Sequence, residues 1–133
     1  MAKAGDCRRC AELSRTEELK VNDEYIPEDY FHHFIDKDRM FFVAEDSGVV
    51  VGFVLGEPMK GNLANLGLLS VDPSYRGKGI GTKLVDAFRD RCEEMGLKYR
   101  LVYARADCAD TVNFYSKAGF RKGKEYQQFF EQG

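Results

Sequence analysis

The stretch VDPSYRGKGIGTKLV, residues 71–85, spaces three glycines at alternate positions between an apolar run and an amphipathic one. Glycine costs backbone entropy on folding, so Gly77, Gly79 and Gly81 need a physical reason. Upstream, LANLGLLSV (63–71) reads as a strand that Asp72-Pro73 ends. Downstream, Ile80, Leu84, Val85, Phe88 and Cys92 recur at helical spacing, with Lys83, Asp86, Arg89, Asp90 and Glu93 on the other side; Gly96 closes the helix. A helix N-terminus exposes unpaired N–H groups and partial positive charge, which attract phosphate. Glycines let ligand atoms approach such amides closely, and Arg76 and Lys78 add cationic reach. The stretch reads as a pyrophosphate cradle.

Outward from it, MFFVAED (40–46) and VVVGFVLGE (49–57) flank a Ser47-Gly48 turn and predict a hairpin. Before them, GDCRRCAELSRTEEL (5–19) predicts a helix that Asp6 can cap. VNDEYIPEDYFHHFIDKD (21–38) predicts a loop and a short helix, with Pro27 in its first turn. After the long helix, YRLVYARA (99–106) is a strand and ADTVNFYSKA (109–118) a short helix. GFRKGKEYQQFFE (119–131) is a terminal extended segment with a bend near Gly123. The order α-α-β-β-β-α-β-α-β describes an α/β fold (α+β, mixed sheet) with helices on its faces, as one domain over 1–133.

The totals agree with one soluble domain. A chain of 133 residues can bury one sizeable core, and 44% apolar with 32% charged residues is ordinary globular composition. A net charge of −2 points to neither nucleic acid nor a membrane surface. No apolar run is long enough to span a bilayer, and no signal peptide is evident at Met1, so the cytoplasm is the expected location. Cys7 and Cys10 form a C-x-x-C, but Cys92 and Cys108 stand alone and His32 and His33 are adjacent. A second paired set of ligands is missing, so buried thiols are favoured over a structural metal or redox pair, and no metal is expected.

Three phosphate motifs compete for the glycine stretch. A P-loop requires lysine directly after its last glycine, and Thr82-Lys83 has the wrong order. A dinucleotide fingerprint needs its first glycine directly after a strand and a third glycine where Thr82 stands; Asp107 keeps that reading open. The third is R-x-x-G-x-G, met by Arg76-Gly77-Lys78-Gly79-Ile80-Gly81. With LLSVDPSY before it and FYSKAGF (114–120) after the next strand, the chain resembles the GNAT superfamily of acetyl-CoA-dependent N-acetyltransferases. The element order matches over nearly the whole chain.

The resemblance implies an enzyme that moves an acetyl group from acetyl-CoA, its co-substrate, to a primary amine of a small molecule or protein. Attack would be direct, in a ternary complex. It implies a splayed parallel pair formed by LGLLSV and RLVYAR. Backbone groups of Leu69, Ser70 and Val71 would hold the pantetheine, and one N–H would polarise the thioester carbonyl. Arg76, Gly77, Lys78, Gly79, Ile80, Gly81 and Thr82 would hold the pyrophosphate. Tyr115 stands where the family places a general acid; a phenol of pKa near ~10 can protonate a thiolate of pKa near ~8.5.

The base positions carry Asn65 and Tyr103, neither of them basic at neutral pH. Glu57 could act directly or through water, and positioning with a water path could suffice. Cys108 and Thr111 replace the family's usual asparagine and alanine. The missing base leaves a non-catalytic acyl-CoA-binding module as the alternative.

The amine is expected to enter beside the first two helices. Glu17, Glu18, Asp23, Glu24, Glu28 and Asp29 outweigh Lys20 there, so a cationic acceptor or simply a solvated face is implied. A short or missing first edge strand invites a homodimer.

Overall fold

The computed structural model describes residues 1–15, 24–35, 40–103, 109–122 and 128–132, with backbone only at 103, 109, 121–122 and 128–132. Six strands form one sheet: β1 (Phe41–Asp46), β2 (Val49–Met59), β3 (Leu63–Val71), β4 (Tyr99–Tyr103), β5 (Arg121–Lys122) and β6 (Gln128–Gln132). Their order across the sheet is β1-β2-β3-β4-β6-β5. Among the described residues, β3 and β4 run parallel and every other neighbouring pair is antiparallel. The helices are α1 (Cys7–Leu13), α2 (Glu28–His32), α3 (Ile80–Glu94) and α4 (Ala109–Lys117).

The apolar periodicity of α3 places Leu84, Val85, Phe88 and Cys92 in a core with Val54, Leu66 and Val102 on one face of the sheet. Burying each large side chain contributes about 1.5–3 kcal/mol. On the other face, Cys10, Phe31 and Phe34 from α1 and its neighbourhood pack on Phe41, Phe53 and Leu55. Phe31 meets Phe53 edge-on, ring centroids 5.3 Å apart. The crossover from β3 through α3 to β4 is the unit that a parallel pair requires.

β3 contains a bulge that its sequence pattern does not announce. Leu55 of β2 pairs with Leu68, but Gly56 pairs with Leu66, so Gly67 is an extra residue on β3. A slip of one residue exchanges the faces. Before the bulge, Ala64 and Leu66 point into the α3 core; after it, Leu68 joins the α1/α2 core, while Leu69 and Val71 pack on the α3 side. Pairing with β4 runs from Leu63–Tyr99 to Leu66–Val102, and β3 continues to Val71 without further pairing among the described residues. The residues after Tyr103 that the expected splay would set opposite Gly67–Val71 lie outside the described residues.

Gly56 lets α3 lie this close. A Cβ there would fall 2.5 Å from Phe88 Cε1. Gly56→Ala is expected to destabilise the fold by about 1–3 kcal/mol through overpacking, read as a lower urea midpoint with unchanged slope.

Some local expectations are corrected. Asp6 does not cap α1 with its side chain; its carboxylate accepts from the Lys3 N–H at 2.8 Å, and a short 3₁₀ turn, Ala4–Asp6, precedes the helix. Pro27 is the extended residue just before α2 rather than part of its first turn. The terminal segment is two strands, because β5 folds antiparallel onto β6. Gly96 follows α3 as expected, and the Leu97 N–H donates to the Cys92 carbonyl at 2.9 Å. Residues 16–19 of the first predicted helix, residues 104–106 of the predicted fourth strand, and Gly123 lie outside the described residues.

Candidate active site

Beside the second half of β3 lies a cleft of about 670 Å³, within the range of small-molecule sites. Nine of the ten residues expected to hold the donor line it: Leu69, Ser70, Val71, Arg76, Gly77, Gly79, Ile80, Gly81 and Thr82. Lys78 does not; its ammonium sits 5.1 Å from the centre of the Tyr75 ring. Tyr115, Phe114 and Thr111 of α4 form the facing wall together with Val102.

The glycines serve two different purposes. Gly77 and Gly79 have φ of +79° and +82°, where a side chain is strained although the space beside each is open. Gly81 is helical, and a Cβ on it would lie 3.2 Å from Phe114 Cε1, so it admits α4 rather than a turn. The first intrahelical donor of α3 is the Lys83 N–H, bonded to the Gly79 carbonyl at 3.1 Å. The amides of Ile80, Gly81 and Thr82 therefore face the cleft as unsatisfied helix N-terminal donors. Their number and placement fit a diphosphate.

Long-range bonds hold this loop. The Asp72 carboxylate accepts from the Ser74 N–H at 2.9 Å and from Arg9 Nη2 of α1 at 2.7 Å. Arg9 Nε also donates to the Val50 carbonyl at 3.0 Å. Tyr75 donates its hydroxyl to Asp46 at 2.7 Å, and the buried Ser70 hydroxyl donates to the Leu13 carbonyl at 2.7 Å.

The Ser74 N–H, and then the Arg9 guanidinium, hold the Asp72 carboxyl below the usual carboxylate range. With its folded pKa depressed, Asp72 stabilises the fold above the unfolded value and loses that contribution as pH falls through the folded one. Asp72→Asn is expected to lower stability at pH 7 and to bring it closer to wild type below about pH 4, by urea unfolding at both pH values.

Tyr115 is buried, its ring edge-on to Phe114 (5.2 Å) and Phe120 (5.7 Å). Arg89 of α3 donates to the Ala118 carbonyl just past α4 and stacks 5.3 Å over Phe120, which fixes the helix that carries Tyr115. The Tyr103 side chain, Asp107 and Cys108 lie outside the described residues.

A second cavity, of about 530 Å³, opens on the α1/α2 side of the sheet. Tyr30, Phe34, Ile26, Leu55 and Leu68 give it an apolar wall; Glu24, Glu57 and Asn65 are its polar members. Burial, then the Glu57 carboxylate, push the Tyr30 phenol up, so it stays a neutral donor. Gly67, the bulge residue, is common to the linings of both cavities. Sequence reasoning missed this meeting point, although a glycine inside a strand is itself a bulge signal.

Of the acidic run, Glu24 lines the second cavity, Glu28 pairs with His32 at 3.1 Å on the surface, and Asp29 is exposed. Glu17, Glu18, Lys20 and Asp23 lie outside the described residues. Cys7, Cys10 and Cys92 are buried. Burial, aided by Cys7 and Asp6, pushes the Cys10 thiol up to about 12. Among the described residues, no helix is long and apolar enough to cross a membrane.

The acetyltransferase (GNAT) family matches residues 7–120. An N-alpha-acetyltransferase of Sulfurisphaera tokodaii is 26% identical, over 86% of this chain and 79% of that protein. N-alpha-acetyltransferase 30 of Schizosaccharomyces pombe is 28% identical, over 77% and 72%. The chain spans less than half the length of some other curated relatives it matches. Among solved structures, Ard1 from Thermoplasma volcanium superposes with a TM-score of 0.85 at 23% identity, covering 98% of this chain and 93% of that one. Matched over residues 7–120, the chain belongs to the acetyltransferase (GNAT) family, whose acetyl donor is acetyl-CoA.

Proposed function

We propose that this chain, as one domain over 1–133, transfers the acetyl group of acetyl-CoA to a primary amine by direct attack in a ternary complex. The carrying observation is that two cavities, one lined by the glycine loop at the start of α3 and one with an apolar wall, share Gly67 in their linings. Acetyl-CoA lies in the first, its diphosphate on the Gly77–Thr82 amides and its pantetheine along Leu69–Val71. Backbone groups of β3 that point away from β2 lack a strand partner there among the described residues, and they are the natural mates of the pantetheine amides. An amide of this segment polarises the thioester carbonyl.

The amine enters through the second cavity. Its lone pair attacks the thioester carbon, the C–N bond forms and the C–S bond breaks. Tyr115, from the wall of the first cavity, protonates the leaving thiolate. The proton lost by the amine leaves to water past Glu57.

The apolar wall narrows the acceptor class. Polyamines and aminoglycosides carry little that would bury against Tyr30, Phe34, Leu55 and Leu68. A peptide N-terminus with a bulky apolar first residue presents an amine and an apolar group together, and the relatives named N-alpha-acetyltransferases support this choice. The site of action in this reading is the cytoplasm. A second copy would pair along the β1 edge beyond Phe41, whose carbonyl already accepts from the Ala2 N–H at 2.9 Å; sedimentation at micromolar concentration checks it.

Thiol release from acetyl-CoA, screened over peptides with different first residues and over polyamines, tests the assignment. Turnover is expected with peptides whose first residue is large and apolar. Saturable acetyl-CoA binding with no turnover on any amine would instead identify a non-catalytic binding module.

A further inference from the structure

β2 and β3 carry the glycines Gly52, Gly56 and Gly67, and packing explains the first two. A Cβ on Gly52 would lie 3.2 Å from Leu84 Cδ1 and from the Ser70 carbonyl oxygen, and one on Gly56 would collide with Phe88. Gly67 has no such reason. Its φ is outside the left-handed region, so its backbone suits an L-residue without strain. A bulge demands glycine only where its first residue is left-handed. Among the described residues, a Cβ on Gly67 would meet only the Leu55 carbonyl oxygen at 3.4 Å and Asn65 Nδ2 at 3.8 Å, both ordinary contacts. Glycine inside a strand weakens it, and it often marks a place where a ligand comes close to the backbone. Gly67 is exposed and belongs to the linings of both cavities. Leu55 and Asn65, the residues its Cβ would touch, line the second, so a side chain here would stand on the acceptor side.

We propose that Gly67 sets the width of the passage between the two cavities: the side chain it lacks leaves room for the acceptor nitrogen, and the carbon that carries it, to reach the thioester. This inference rests on the transfer reading above. Attack requires the nitrogen within about 3–3.5 Å of the thioester carbon, and the rest of the acceptor must fit beside β3 while it is there. A methyl group at position 67 takes some of that room from the acceptor side, and an isopropyl group takes more. In the same reading the donor is held by the Leu69–Val71 backbone and the amides at the start of α3, beyond the reach of that methyl. Filling the passage therefore separates transfer from donor binding. A glycine kept for the fold would behave differently, losing stability and activity together.

The test compares wild type, Gly67→Ala and Gly67→Val, with a short peptide bearing a free N-terminal leucine as acceptor. Thiol release, acetyl-CoA affinity and thermal unfolding are measured for each. Relative to wild type, kcat/KM for the peptide is expected to fall about tenfold in Gly67→Ala and about a hundredfold in Gly67→Val. Acetyl-CoA affinity is expected to be unchanged. The melting temperature of Gly67→Ala is expected to be no lower than wild type, because alanine has fewer unfolded conformations to lose than glycine. Gly67→Ala decides the matter even where the larger valine disturbs the fold. Wild-type kcat/KM in either variant, or a fall in melting temperature or acetyl-CoA affinity alongside activity in Gly67→Ala, overturns the proposal while the transfer reading stands. No thiol release by the wild type with any acceptor sinks the transfer reading and this proposal with it.

Discussion

Replacing Tyr115 with phenylalanine is expected to lower kcat by about 10²–10⁴-fold and to leave acetyl-CoA affinity unchanged. The substitution removes one oxygen and keeps the ring, so the edge-on contacts with Phe114 and Phe120 persist and α4 stays in place. What is lost is the hydroxyl proposed to protonate the departing thiolate. Steady-state kinetics with the best peptide acceptor measure the rate, calorimetric titration with acetyl-CoA measures the affinity, and thermal unfolding confirms an intact fold. A kcat equal to wild type would remove Tyr115 from the chemistry and leave it as a core aromatic.

The second large effect is expected at Gly79. Its φ of +82° costs an L-residue about 1–2 kcal/mol, although nothing lies within 4 Å of a Cβ built there. Gly79→Ala therefore reports backbone geometry rather than a clash. Relaxation of the strain turns the first amides of α3 away from the cleft, and acetyl-CoA binding is expected to weaken about tenfold by calorimetry. Gly81→Ala makes the contrast. Its Cβ would press on Phe114, beside Tyr115, so turnover falls more than binding does. Equal losses of affinity at both positions would show that the two glycines act alike.

These two glycines also show where sequence reasoning reached and where it stopped. The alternating glycines, the strand before them and the 3.6-residue period after them are local patterns; they located α3, and nine of the ten residues they singled out line one cleft. They did not separate Gly79 from Gly81, because the reason for Gly81 is a ring on α4, remote in the chain. Lys78, expected to add cationic reach, has its ammonium 5.1 Å from the centre of the Tyr75 ring, a contact its neighbours in sequence do not announce.

The bulge at Gly67 was hidden for a similar reason. LANLGLLSV looks like one even strand, and only its register against β2 shows that the faces exchange midway. Without that exchange Asn65 looked like a missing base. With it, Asn65 and Leu68 line the same cavity. The single terminal strand of the sequence reading became the antiparallel β5–β6 pair, because pairing partners are not written in local composition.

The claim beneath all of this is electrostatic and geometric: the N-terminal amides of α3 grip a diphosphate and so align a thioester beside Gly67. A crystal structure of the protein with coenzyme A tests it most directly. Diphosphate oxygens within hydrogen-bonding distance of the Gly77–Thr82 amides, with pantetheine along Leu69–Val71 and the sulfur near Gly67, are the predicted result. A diphosphate bound away from the start of α3, or a sulfur remote from Gly67, would contradict the account.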